Sequence, residues 1–420
     1  MEVLGRIGAA ATPLHLAVLA DASDMLAALA AGPDGRGSFP DVGPVDLVMI
    51  DPPYNTGAKR TYLDRFGAWS KWMASLLGAA KPLLSTTGVA AVFIGPDELV
   101  SLRRVMDDVF GAANHLSTIT WVGRGSPAAQ FGAGGLDHIV VYARSRAALR
   151  GTRWREPHGP AAELVELTRA VFATSGARAA EEAVAAWKKN RLDLPAGLGP
   201  YRHVDDSGRL WRAGPLAKPA GSVRGQDYDV VHPVTGGTCP VPDNGWRMNR
   251  TQLEAWDSAG EIVWAADHTR PPRRRLWLDA SEGVPPSEVF FHERHLATRR
   301  LDRMLCGHRF DNPKDVGVLA RWIAMLAPRD ATVLDFFAGS GSTGEAVMAL
   351  NARDGGTRRA VLSTNAEVFE SVLVPRMRAV CDGVRPDASP WPEALDARIE
   401  IRRSLSDTTD LTSTTLGGAP

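Results

Sequence analysis

Two short apolar runs, each ending in a turn that no strand can continue through, constrain the fold of this chain most. Val45-Asp46-Leu47-Val48-Met49-Ile50 leads into Asp51-Pro52-Pro53-Tyr54. Far downstream, Ala331-Thr332-Val333-Leu334-Asp335 leads into Phe336-Phe337-Ala338-Gly339-Ser340-Gly341-Ser342-Thr343. Near-continuous apolar runs of this length suit strands covered on both faces of a parallel sheet. Proline cannot donate to a sheet ladder, so the first run must stop at a rigid turn. The glycines of the second allow a tight turn into a helix N-terminus.

The surroundings repeat this alternation. Helix signals cover 69–81, a buried strand 88–94, and a helix 98–110 for which Asp97 is the expected N-cap. Strands are predicted at 14–19, 116–122 and 138–142. Beyond residue 304 come a helix at 315–326, a strand at 359–364 and a helix at 368–380. Strand–helix alternation predicts an α/β doubly wound sheet.

Between these halves the rhythm breaks. Residues 161–189 are rich in alanine and glutamate and predict a helix, whereas 195–245 are rich in proline, glycine and aspartate. The expected organisation is therefore a catalytic half at 1–149, an inserted module at 150–303, a cofactor-binding half at 304–383 and a flexible tail at 384–420. A chain of 420 residues has room for one such domain with a second, smaller module.

Composition narrows the partners. Formal net charge is +0, so any affinity for nucleic acid must come from local basic patches. The 3 cysteines, Cys239, Cys306 and Cys381, have no CxxC spacing, which argues against a disulfide scaffold or a cysteine-rich zinc site. No histidine grouping suggests a metal, and none is expected. The first twenty residues lack a basic n-region, and no span is apolar enough for a membrane; a cytoplasmic, nucleoid-associated protein is expected.

The two turns also carry chemistry. Asp51 and the Pro52 carbonyl can stand side by side as two acceptors, matching the two donors of an NH2 group. Holding both protons would aim the nitrogen lone pair of a poorly nucleophilic amine, a matter of positioning and electrostatics. Tyr54 could stack on a base taken out of its duplex. Phe337-x-Gly339-x-Gly341 is neither a GxGxxG fingerprint nor a phosphate loop, and looks like an S-adenosylmethionine loop. Glu367, just past the strand at 359–364, has the position of an acid that holds ribose hydroxyls.

These motifs and their order resemble those of β-class DNA adenine-N6 methyltransferases, in particular modification subunits of type III restriction systems. Asp51-Pro52-Pro53-Tyr54-Asn55-Thr56-Gly57 resembles the extended catalytic motif, and the stretch from Asp335 to Thr343 the cofactor loop. Phe310-Asp311-Asn312-Pro313-Lys314, Asp137-His138-Ile139-Val140-Val141-Tyr142 and Thr364-Asn365-Ala366-Glu367 resemble flanking motifs. The resemblance implies a Rossmann-like S-adenosylmethionine-dependent methyltransferase sheet in circularly permuted motif order, with an inserted target-recognition module. It implies that Asp51, Pro52, Pro53 and Tyr54 act on the target amine. It further implies that Asp335, Phe337, Ala338, Gly339, Ser340, Gly341 and Thr343 form the cofactor loop. Asp21 would lie near the cofactor adenine, Asn312, Pro313 and Lys314 beside its methionine carboxylate, and Glu367 at its ribose. Ala20-Asp21-Ala22 departs from the usual Gly-Asp-Asn, and Ala366 from the usual asparagine.

Double-stranded DNA is the implied partner, with a homodimer mate or a restriction subunit as further possibilities. Arg270, Arg273, Arg274 and Arg275, beside Trp264 and Trp277, are candidates for DNA contact, as are Lys59 and Arg60 after the catalytic turn. Arg294, Arg299, Arg300 and Arg303 form a second basic cluster. Three alternatives stand beside adenine-N6 methylation: methylation of cytosine N4, of an RNA or protein amine, and a non-catalytic subunit of a defence complex. Asp at position 51, rather than Ser, favours adenine by resemblance. The late glycine loop counts against RNA and protein enzymes, and two intact motifs count against a non-catalytic subunit.

Overall fold

The computed structural model describes residues 2–8, 13–31, 42–57, 68–125, 134–156, 159–189, 191, 196–280 and 283–404. Lys59 and Arg60 lie outside these. The chain divides into two compact units, residues 1–154 with 286–420, and residues 155–285.

The first unit is built on a ten-stranded sheet. Its strands are β1 (Glu2–Ile7), β2 (Leu14–Leu19), β3 (Val45–Ile50), β4 (Leu84–Ile94), β5 (His115–Val122), β6 (Leu136–Ala143), β7 (Val289–Phe291), β8 (Thr332–Asp335), β9 (Arg359–Thr364) and β10 (Arg398–Arg403). They lie in the order β1-β10-β2-β9-β8-β3-β4-β6-β5-β7. From β10 to β4 every neighbouring pair is parallel. β6 runs antiparallel to both β4 and β5, and β1 antiparallel to β10.

The apolar runs follow from this burial. Along β3, Leu47 and Met49 join the core on one face while Val48 and Ile50 join the core on the other. In β8, Val333 and Leu334 divide in the same way. A strand whose alternate residues serve two cores has no polar face to show.

Helices α1 (Ala22–Ala30), α2 (Trp69–Ala80) and α3 (Leu99–Phe110) cover one face, with Met25, Met73 and Met106 in its core. The other face packs α4 (His295–Met304), α5 (Val316–Leu326), α6 (Ser342–Asp354) and α7 (Val374–Asp382) through Leu301, Trp322, Val347 and Met377. The helix after β8 thus lies on the opposite face from the helix after its neighbour β3. Where helices diverge this way, a crevice opens at the carboxyl ends of the strands. Both sequence motifs sit there.

Several expectations need correction. Asp97 does not cap α3; Glu98 precedes it, with no side-chain cap. The module expected to extend to 303 ends near 285, because β7 pairs with β5 and α4 packs into the core of the first unit. Residues 384–420 are not all tail: β10 is a sheet strand between β1 and β2. Its buried Ile399 and Ile401 are the reason.

His15, on β2, is 1% exposed, and its Nδ1 accepts the Ala360 amide at 3.0 Å. Burial, with Arg359 adding, lowers its pKa from 6.5 to about 4. The folded state therefore prefers neutral imidazole, and the unfolded chain binds the extra proton first. Stability from this group is complete above pH 6.5 and falls as pH drops towards 4. The expected loss is about 3 kcal/mol. Urea unfolding across this range should show that slope in the native chain and a flatter one in His15→Gln; equal slopes would refute the assignment.

The second unit is described by itself. Its helix Gly159–Lys189 is broken at Gly176, where φ is 79°. A four-stranded sheet holds His203–Val204, Leu210–Pro215, Ile262–Val263 and Arg273–Trp277. Near its two ends Glu156 and Val284 exchange backbone hydrogen bonds of 2.9 and 3.0 Å, so the chain enters and leaves this unit at one point.

Candidate active site

The Asp51 turn is braced on several sides. The Trp69 indole donates to the Pro53 carbonyl at 2.8 Å. The Asn55 amide donates to Glu98 at 2.8 Å, and φ of Asn55 is 60°. A Cβ on Gly95, just after β4, would stand 2.9 Å from the Tyr54 ring, so only glycine leaves that ring its place. Nothing in the sequence marked Gly95 for this role.

Asp51 Oδ2 accepts from Lys314 Nζ at 2.8 Å. Oδ1 is buried and has no partner at hydrogen-bonding geometry. The side chain keeps 30% exposure, which leaves it reachable from the crevice. Desolvation raises the Asp51 carboxyl above its ordinary range; Lys314 and the Tyr54 hydroxyl pull it down, and Asp137 pushes it up.

The glycine loop is held by Asp335. Its Oδ1 accepts from the Phe337 amide at 3.0 Å and its Oδ2 from the Thr343 hydroxyl at 2.6 Å. Burial raises this carboxyl to about 7, with Thr343 and Phe337 opposing and nearby Asp51 adding to the rise. Asp335 lines the crevice, yet both its oxygens are spent on the shape of the loop.

Beneath the loop lies a charged cluster that the sequence reading missed. Arg376 donates to Glu345 at 2.8 Å, to Ser340 Oγ at 2.9 Å and to Ser342 Oγ at 2.8 Å. Arg300 adds a second cation on Glu345 at 2.5 Å and reaches Glu393 at 2.7 Å. Burial alone would raise the Glu345 carboxyl, but Arg376 and Arg300 outweigh it and hold it below its usual range. Removing one member of a buried pair strands the other. Arg376→Met should therefore destabilise the protein by about 3 kcal/mol, since Arg300 still serves Glu345. Denaturant titration showing no loss would overturn this view of the cluster.

The crevice, about 290 Å³, lies where these parts meet. Asp21, Asp51, Pro53, Asn312, Pro313 and Lys314 line it, with Asp335, Phe337, Ala338, Gly339, Ser340 and Thr343 of the loop. Trp72, edge-on to Phe337 at 5.4 Å, supplies an aromatic wall. Asp21 caps α1 by accepting the Asp24 amide at 2.8 Å. A Cβ on Gly339 (φ +47°) would meet Phe310 at 2.9 Å, so the loop comes as close to its opposite wall as glycine permits. This aromatic and glycine cradle fits S-adenosylmethionine.

Two expected cofactor residues do not line the crevice. Gly341 (φ +83°) faces Met377 and Leu373, because it serves as N-cap to α6 rather than as a ligand wall. Glu367 is exposed one residue pair past the lining residues Thr364 and Asn365, since the helix that Asn365 caps carries it outward.

A second recess, about 880 Å³, opens on the other side of the turn. Asp51, Pro52, Tyr54, Trp121, Arg294 and Arg299 are among its walls. Of the second basic cluster, Arg294 is committed to Asp137 at 2.9 Å and Arg300 to Glu345 and Glu393. Arg299 is exposed and makes no ion pair among the described residues.

In the second unit, Arg274 is engaged by Glu261 at 2.8 Å and lies 3.8 Å above the Trp256 ring. Arg275 lies over Trp211 at 4.7 Å, on the sheet face where Trp277 pairs with Trp211. Arg270 and Arg273 are exposed. Burial pushes the Cys239 thiol up, away from nucleophilic thiolate.

A switch-point crevice between a glycine loop and a proline-fixed acceptor turn defines a Rossmann-like methyltransferase. Within that class the chain belongs to the DNA methylase family (N6_N4_Mtase), which matches residues 45–364. It is similar to the type II methyltransferase M.KpnI of Klebsiella pneumoniae, 27% identical over 76% of this chain and 74% of that protein. It is also similar to the StyLTI Mod subunit of a type III restriction-modification enzyme from Salmonella typhimurium, 26% identical over 76% of this chain. The match spans 49% of that subunit, so the chain covers about half its length. Among solved structures, the M1.HpyAVI–SAM complex aligns over 86% of this chain and 98% of its own, with 10% identity and a TM-score of 0.39.

Proposed function

We propose that this DNA methyltransferase places its methyl group on N6 of adenine in double-stranded DNA, as the modification activity of a restriction or phage-defence system. The observation that carries the reading is Asp51 Oδ1, a buried acceptor without a partner at the meeting point of the two recesses. An acceptor so placed costs free energy until a donor arrives. An amine proton is such a donor.

S-adenosylmethionine supplies a methyl group on a cationic sulfur. The chain's own residues do the rest. Asp51 Oδ1 and the Pro52 carbonyl accept the two N–H groups of the target, which directs the nitrogen lone pair. Tyr54, seated against Gly95, stacks on the extruded base. After transfer the nitrogen carries one proton too many, and Asp51 is the nearest base for it. Arg299, beside the second recess, and the Arg–Trp sheet face of the second unit are candidates for phosphate and base contacts. The similarity to a Mod subunit is the ground for inferring a restriction partner.

The test is mass spectrometry of nucleosides from duplex DNA incubated with the chain and S-adenosylmethionine, with Asp51→Ala alongside. N6-methyladenine in the wild type alone supports the reading. N4-methylcytosine would transfer the same geometry to the other amine, and no methylated base would overturn catalysis by the chain alone.

A further inference from the structure

We propose that Lys314 is a positioning residue for methyl transfer: it grips Asp51 by one oxygen and so turns the other, Oδ1, toward the target amine. The inference rests on the amine-binding role of Asp51 proposed above. It assigns Lys314 to the catalytic carboxylate, where the family resemblance implied the cofactor's methionine carboxylate.

The geometry is specific. Lys314 Nζ lies 2.8 Å from Asp51 Oδ2 and 3.7 Å from Asp137 Oδ2. It stands 4.9 Å from the Tyr54 ring centroid and 5.5 Å from that of Phe93, so aromatic faces complete its surroundings. Its side chain is 10% exposed. Asp137, 5% exposed, is held from behind by Arg294 at 2.9 Å. Asp51, Lys314, Asp137 and Arg294 thus alternate in sign along one buried row.

The backbone leaves Lys314 little freedom to swing away. Asn312 adopts a left-handed φ of 51°, and Pro313 follows it. Asp315, next in line, caps α5 by accepting the Val318 amide at 3.0 Å and pairs with His292 at 3.2 Å. A lysine between a fixed proline and a helix cap is aimed before any ligand arrives.

The groups facing Asp51 explain why a cation is needed. Tyr54 adjoins it on its own turn, Asp137 faces it from β6, Asp335 from β8, and Lys314 from the segment before α5. Lys314 is the sole cation among these. Without it, Asp51 would stand among two further carboxylates and take up a proton more readily. A protonated Asp51 presents a hydroxyl donor where the amine requires an acceptor. Lys314 therefore maintains the acceptor in its charged form and fixes which oxygen stays vacant.

The experiment compares the full-length wild type with Lys314→Met and Lys314→Arg. If Lys314 acts through Asp51, the acid limb of kcat moves to higher pH by about one unit or more in Lys314→Met. kcat at pH 7 should then fall about tenfold or more, recovering as pH rises. S-adenosylmethionine affinity, measured by calorimetry, should change by less than about threefold, a shift of under about 1 kcal/mol. Lys314→Arg keeps the charge and should restore the position of the acid limb. A tenfold loss of cofactor affinity with an unmoved pH profile would instead place Lys314 on the cofactor and overturn the inference.

A second readout needs no turnover. The Asp51 carboxyl, followed by 13C NMR in the 13C-aspartate-labelled protein and assigned with Asp51→Asn, should titrate at higher pH in Lys314→Met than in the wild type. Unchanged titration overturns the inference even if DNA is methylated normally. Failure of the wild type to methylate DNA would count against the functional reading, while the carboxyl titration still decides the role of Lys314.

Discussion

Asp51→Ala should lower kcat by at least about 10²–10³-fold, the effect of losing one preorganised polar group at a reacting centre. Cofactor affinity should stay within a few-fold of wild type, because Asp51 forms only one part of the crevice wall. The fold should survive as well. Lys314 retains Asp137 at 3.7 Å, so the substitution does not leave a buried ammonium alone. Single-turnover kinetics with calorimetry on the same preparation separates these effects. Near-wild-type turnover would remove Asp51 from the reaction, whereas parallel loss of binding and turnover would make it a structural residue.

Gly339→Val should abolish measurable S-adenosylmethionine binding, a loss of at least about 100-fold. Three effects coincide. The backbone at Gly339 has φ +47°, where a side chain costs about 1–2 kcal/mol. The first added carbon would lie 2.9 Å from Phe310 Cζ. The two methyls beyond it would then occupy the crevice that the loop encloses. Gly341→Ala makes the useful contrast. Its new methyl would meet Met377 and Leu373, at 3.2 and 3.4 Å, away from the crevice. It should reduce stability more than affinity. Calorimetric titration of both variants with S-adenosylmethionine tests the loop assignment, which fails if Gly339→Val binds as the wild type does.

Much of this site was legible because its residues obey local rules. Val45–Ile50 has no polar face, since each side of it enters a different core, and prolines show where such a strand must stop. Gly339 and Gly341 both signalled unusual backbone. Only the structure separates them, because facing a crevice and facing Met377 differ in direction, not in conformation. Glu367 was misplaced for a related reason: a strand end specifies a neighbourhood, and the turn of the next helix decides which side chain enters it. Arg376 and Glu345 were invisible because 31 residues separate them and neither belongs to a motif. The same holds for Gly95, whose role depends on a ring from the neighbouring strand's turn. The edge strand β10 was overlooked because its alternating Arg398-Ile399-Glu400-Ile401-Arg402 is brief and follows a loop-like stretch.

The closed neck of the second unit bears on how such a protein can change. The entropic cost of an insertion depends on how far apart its ends can wander, and it grows slowly with length. Here Glu156 and Val284 are tied to each other by two backbone hydrogen bonds, so the unit's own folding restrains its ends. To the catalytic sheet, the whole unit then counts as a short connection between β6 and β7. A replacement of different size with similarly paired ends would impose little new cost on the sheet. Lineages could therefore exchange the unit, and any specificity it carries, while retaining one unchanged set of chemical groups.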